Sequence, residues 1–235
     1  MTTSLAPRRN FKGAADSRRS VLASRERFWK PSDLALPAST AHHLLGELED
    51  RGELRRVRRG LYWRGTRTPL GMAPPSTERL VEALAPGPGV GPAGLSAANL
   101  LHLSTQIPRR ALVAVPERAP SDTGSVAFVS RAARNGRTTA GLSAVEVAAL
   151  EVLEAWQNVL EVTPTEAVAR LADLLRSESL RADRMVRASA TEPGRTRARL
   201  AALLTAAGMD DLADRVPTPD PRTRRQALAP LGVEA

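Results

Sequence analysis

The stretch ASTAHHLLGELEDRGELRRVRRGLYWRG, residues 38–65, decides how this chain is read. Its first half has helical spacing: Ala41, Leu44, Leu45 and Leu48 recur at i, i+3, i+4 and i+7, with Ser39 or Thr40 ahead of them as a cap. One apolar face is therefore buried, and His42, His43, Gly46 and Glu47 turn away from it. Gly52 is placed to close the helix, since glycine takes a left-handed C-terminal conformation without strain. The second half reads as two short extended runs, Glu53–Val57 and Leu61–Arg64, around a turn at Arg58, Arg59 and Gly60. The pattern predicts a hairpin tipped with arginine, with Tyr62 and Trp63 as core side chains that fix it to the preceding helix.

Upstream, Asp16 can cap a helix through SRRSVLASRERFW, which places Val21, Leu22 and Phe28 on one stripe. Pro31–Ala35 fits a short second helix that Pro37 stops. Residues 1–15 have no periodicity and read as a flexible arm. Helix, short helix, capped helix and basic hairpin, over residues 16–68, is the order of a winged helix-turn-helix. Downstream of a Pro/Gly-spaced connector, residues 76–216 read as a second domain. It begins with a helix from Ser76 to about Ala85, a Gly/Pro turn, and a short helix carrying Leu95, Leu100 and Leu103. Arg110–Val115 and Ser125–Ser130 follow as strands, and the pattern from Leu142 onward is helical. Residues 217–235, rich in proline, read as a loose tail. The expected fold class is α+β: an N-terminal winged helix-turn-helix and a larger, mostly helical C-terminal domain with a small β-sheet.

Composition narrows the function. The 235 residues contain no cysteine, which removes disulfide scaffolds, thiolate metal sites and cysteine nucleophiles. No apolar stretch approaches a membrane span and the start lacks a secretory apolar segment, so a cytoplasmic protein is expected. The net charge of +9 is unevenly placed: residues 1–70 carry 15 basic and 7 acidic side chains, and residues 71–235 carry 19 and 18. A basic field confined to the segment with the helix and hairpin points to a polyanion as partner.

In a winged helix the third helix meets base edges through its N-terminal half, and the wing reaches phosphates or the minor groove. Ser39, Thr40, His42 and His43 are then the base-edge candidates, and Arg55, Arg56, Arg58, Arg59 and Arg64 the phosphate candidates. Adjacent histidines lie about 100° apart on a helix and no carboxylate cluster completes a set, so no metal is expected. GPGVGPAG, residues 87–94, lacks the GK[ST] ending of a phosphate loop, and its prolines remove amide donors, so it reads as a turn. His102 reads as a partly buried imidazole, and Glu146 and Glu151 as acids on a polar helix face. No nucleophile, dyad or zinc motif stands out, and neither catalysis nor a cofactor is expected.

Two blocks carry a resemblance: FWKPSDLALPASTAHHLLGELEDRGELRRVRRGLYWRG at residues 28–65 and GLSAANLLHLSTQIPRRALVAVPERAP at residues 94–120. Together they resemble the AbiEi-like antitoxins of type IV toxin–antitoxin (abortive infection) systems, over roughly residues 16–155. The resemblance implies an N-terminal domain that binds DNA and represses its own operon, and a C-terminal domain that counters a nucleotidyltransferase-like toxin. It assigns base reading to Ser39, Thr40, His42 and His43, and backbone contact to Arg55, Arg58 and Arg59. The expected partners are double-stranded DNA at the chain's own promoter, in repeated half-sites, and the cognate toxin. The alternative is a protein-interaction module that neutralises a partner by direct contact, without DNA.

Overall fold

Residues 13–231, described by a computed structural model, form an α+β chain that divides into two units between Ala83 and Leu84. The first unit runs α1 (Ala14–Ala23), β1 (Arg27–Trp29), a 3-10 turn (Pro31–Asp33), α2 (Ala38–Asp50), β2 (Arg55–Arg58), β3 (Leu61–Arg64), β4 (Arg67–Thr68), β5 (Gly71–Met72) and α3 (Thr77–Leu84). α2 buries Ala41, Leu44, Leu45 and Leu48, the four residues its spacing selects, against Val21, Trp29, Leu34, Leu54 and Tyr62. Each leucine removed from water there stabilises the unit by roughly 1.5–3 kcal/mol. Gly52, at φ 68, ends α2 as expected: its amide bonds the Glu49 carbonyl, and the Glu53 amide bonds the Leu48 carbonyl.

The first expected helix is shorter than its sequence pattern. α1 stops at Ala23, and Arg27–Trp29 forms a strand that pairs with β3, giving a sheet of order β1-β3-β2. Ser24 causes the stop: its backbone is extended, its hydroxyl donates to the Val21 carbonyl at 2.6 Å, and the Trp29 indole N–H donates to that hydroxyl at 3.0 Å. Trp29 and Tyr62 face the helices, while Phe28 and Trp63 pair on the opposite side with ring centroids 4.7 Å apart. The β4–β5 hairpin belongs to that opposite side: Trp63 donates to the Ala73 carbonyl at 3.0 Å, and a Cβ on Gly65 would collide with the Trp63 indole nitrogen. Arg79 on α3 ion-pairs with Glu26 at 2.8 Å. These interactions extend the first unit through residue 83, where the sequence places a boundary at 68, and all of α3 but its last residue, Leu84, falls within it.

The second unit contains β6 (Gly91–Pro92), α4 (Gly94–Leu100), β7 (Ala111–Val115), β8 (Val126–Ser130), α5 (Gly136–Thr139), α6 (Ala144–Val159), α7 (Pro164–Arg176), α8 (Ala182–Ser189), α9 (Gly194–Ala206), α10 (Asp210–Ala213), α11 (Pro221–Leu228) and a 3-10 turn (Ala229–Leu231). Both expected strands form, and they pair in parallel, Ala111 opposite Val126, with β6 antiparallel on the other edge of β7. Part of the glycine string at 87–94 is thus a strand: a Cβ on Gly91 would lie 2.6 Å from the Ala144 carbonyl oxygen, so only glycine lets β6 approach α6. α6 is the central helix, capped by Ser143 and Glu146 in a reciprocal capping box, and every residue from Glu146 to Leu153 is buried.

Glu146 and Glu151 therefore do not lie on a polar face. Glu146 accepts from the Ser143 and Arg181 amides, and Glu151 is embraced by Arg131, Arg134 and Arg137 at 2.7–3.1 Å. The fully buried Arg137 also pairs with Glu192 at 2.6 Å. The tail expected at 217–235 is ordered through residue 231 as α11 and the final turn, and residues 232–235 lie outside the described residues. Asp220 caps α11 by accepting from the Thr223 amide, Pro221 suits the first turn, and Ala227 and Leu228 bury against Ala198. The prolines set the entry to a helix here instead of preventing one. Of the arm expected at 1–15, residues 1–12 lie outside the described residues, and Ala14 and Ala15 open α1.

Candidate nucleic-acid interface

Ser39, Thr40, His42 and His43 are all exposed on the first two turns of α2. Ser39, His42 and His43 stand at i, i+3 and i+4, so they form one strip opposite the buried leucines. Pro37 occupies the N-cap position and no side chain caps the helix, so Ser39 and Thr40 lie inside its first turn and not at the cap, and the first-turn amides of α2 have no side-chain partner. No acid lies between Pro37 and Gly46; Glu47, Glu49 and Asp50 are confined to the last turns. Glu47 is neutralised locally by Arg18 and Arg51, and its hydrogen bond from Arg18 holds its carboxyl below the usual carboxylate range.

Residues missed in the sequence adjoin this strip. Thr40, His43 and Glu47 border a shallow groove of about 250 Å³ with Ala14, Ala15 and Arg18 of α1. The pairing of Arg18 with Glu47 joins positions 29 residues apart, and no local periodicity signals it. Gly46 continues the strip: a Cβ there would meet nothing within 4 Å.

On the hairpin, Arg55, Arg56 and Arg59 are exposed and Arg58 is half-buried. None of the four has an ion-pair partner among the described residues. Gly60, at φ 73, makes the tight turn that places Arg58 and Arg59 at the tip. Arg64 differs. Its guanidinium donates to the Glu53 and Leu22 carbonyls at 3.2 and 3.4 Å and ion-pairs with Glu53, so it ties the hairpin to the body of the unit and is withdrawn from the cationic set. Tyr62 and Trp63 are 5% and 3% exposed, as expected for core side chains, and present no stacking surface.

His102 is exposed instead of partly buried. It takes φ 56 just past α4, the C-terminal position that glycine usually fills, while the Leu103 amide bonds the Ala98 carbonyl. Among the described residues no cluster of three or more His, Asp or Glu side chains is arranged to hold a metal, and no helix is long and apolar enough to cross a membrane.

No protein-family model and no curated protein matches the chain. Among solved structures, the crystal structure of the Rv2827c protein from Mycobacterium tuberculosis is similar, with a TM-score of 0.50 and 18% sequence identity over 94% of this chain and 82% of that one. At that identity the likeness concerns the fold alone, and the fold is α+β.

Proposed function

We propose that the chain is a cytoplasmic, sequence-specific DNA-binding regulator that represses its own promoter through a winged helix-turn-helix in its first unit. The observation that carries this reading is a set of four arginines, Arg55, Arg56, Arg58 and Arg59, none of them in an ion pair among the described residues and only Arg55 bonded to a carbonyl, that of Met72 at 3.4 Å, on a hairpin that directly follows a helix with an exposed, acid-free N-terminal half. In the proposed complex the Ser39, Thr40, His42 and His43 strip faces the major groove, and the hairpin arginines neutralise phosphates. Hydroxyl and imidazole groups lack the bidentate match of arginine to guanine, so phosphate binding supplies most of the affinity.

A mobility shift on the chain's own promoter tests the reading. A shift is expected at about 100 mM salt, and Arg58→Ala with Arg59→Ala should weaken it and lower the salt slope by about one for each phosphate no longer neutralised. Failure of the intact chain to shift that promoter, or a double variant indistinguishable from it, would remove the proposal.

The antitoxin role rests on the resemblance of residues 28–65 and 94–120, and one observation favours a protein contact on the second unit. Ile107 is 85% exposed in a loop that Glu161 pins through bonds from Ser104, Thr105 and Gln106. Co-expression with a nucleotidyltransferase-like toxin should restore growth, and Ile107→Asp should lower that rescue while leaving the promoter shift unchanged.

A further inference from the structure

The C-terminal segment that returns along α9 walls a cleft of about 320 Å³, and the groups lining that cleft are unlike those of a packing defect. Its floor is apolar, made by Ala198 and Ala202 of α9 and Leu228 of α11. Two arginines, Arg197 and Arg224, line it, and neither has an ion-pair partner among the described residues. The Nε of Arg197 is buried with no hydrogen-bond partner, a state that costs free energy unless something else accepts from it. Arg197 and Thr205 both line the cleft from α9, eight residues and therefore about 12 Å apart along the helix axis. Asp214, which directly follows α10, is the one carboxylate among the lining residues, so the two arginines leave the lining net positive.

We propose that this cleft binds a small organic oxyanion with an aliphatic body. The phosphate or carboxylate head would accept from Arg197 and Arg224, as the planar donor fork of arginine favours, and the body would cover the Ala198, Ala202 and Leu228 floor. Among the described residues no aromatic side chain lines the cleft, so a nucleobase finds no stacking partner there, and the recessed apolar floor gives nothing to a nucleic-acid backbone. The volume lies at the lower end of those that hold small-molecule ligands.

Isothermal titration calorimetry of the full chain with hexyl phosphate, hexanoate and inorganic phosphate tests the assignment. At least one hexyl anion is expected to bind saturably, about tenfold or more tighter than inorganic phosphate, and the tighter of the two identifies the head group. Arg197→Gln with Arg224→Gln should weaken that binding by about tenfold or more. Arg222→Gln with Arg225→Gln removes equal charge from exposed positions of α11 that do not line the cleft, and should leave it intact. No saturable binding by the wild-type chain, no preference over inorganic phosphate, or equal losses in the two double variants would each overturn the proposal.

Discussion

Gly46 sits in the interior of α2, where glycine lowers stability by roughly 0.5–1 kcal/mol relative to alanine. Packing does not require it, because an added Cβ meets nothing within 4 Å. Gly46→Ala is therefore expected to stabilise the chain by about that amount in urea unfolding. If the α2 strip meets DNA closely, the same variant should also bind the promoter more weakly; a stabilised variant with unchanged affinity would show that this flank is not approached. Arg64 illustrates the reverse relation between sequence and structure. In sequence it is one more arginine of a basic run, but its bonds to the Glu53 and Leu22 carbonyls make it a brace. Glu151 likewise reads as a surface acid at helical spacing and is buried beneath three arginines. Local pattern states which residues share a face, but not what lies opposite that face.

At the scale of elements, α2 and the hairpin were legible because each follows from neighbours: leucine spacing, a closing glycine, and two short runs around Gly60. β1 was not, because three residues are too few to show alternation and the arginines around Phe28 and Trp29 fit a helix equally well. Its identity comes from pairing with β3, and the same holds for β4, β5 and β6, each two residues long. α11 was hidden by prolines that lie ahead of it and at its first position, where they are compatible with a helix. Its cap offers a test. Asp220→Ala should cost about 1 kcal/mol. Hydrogen exchange should show the loss concentrated in Arg224–Leu228, the turns that lie on Ala198, and not in α2.

The whole molecule stores much of its acid sensitivity in carboxylates held ionised by the fold. Glu161 is lowered from 4.5 to about 2, first by the Thr105 amide and then by Gln106, Ser104 and the Thr105 hydroxyl. Asp122 is lowered chiefly by the Phe128 amide, and Asp220 by the Thr223 side chain and amide. Glu151 is also lowered: burial pushes it up, but the bonds and charges of Arg131 and Arg137 outweigh that. Each group is easier to protonate when unfolded than when folded, so its contribution is fully present above its unfolded pKa and fades as pH falls toward its folded one. Melting temperature should therefore drop as pH goes from about 4.5 toward about 2. Glu161→Gln should melt below the wild type at neutral pH, with the gap narrowing over that window. The sequence by itself determined the two regions of different charge, the buried face of α2, the arginine hairpin and the helical character of the C-terminal half, because these depend on spacing and composition within a few turns of chain. Only the tertiary structure decided the two three-stranded sheets, the withdrawal of Arg64, the buried arginine–glutamate network and the cleft beside α11, because each joins groups far apart along the chain whose meeting is set by packing.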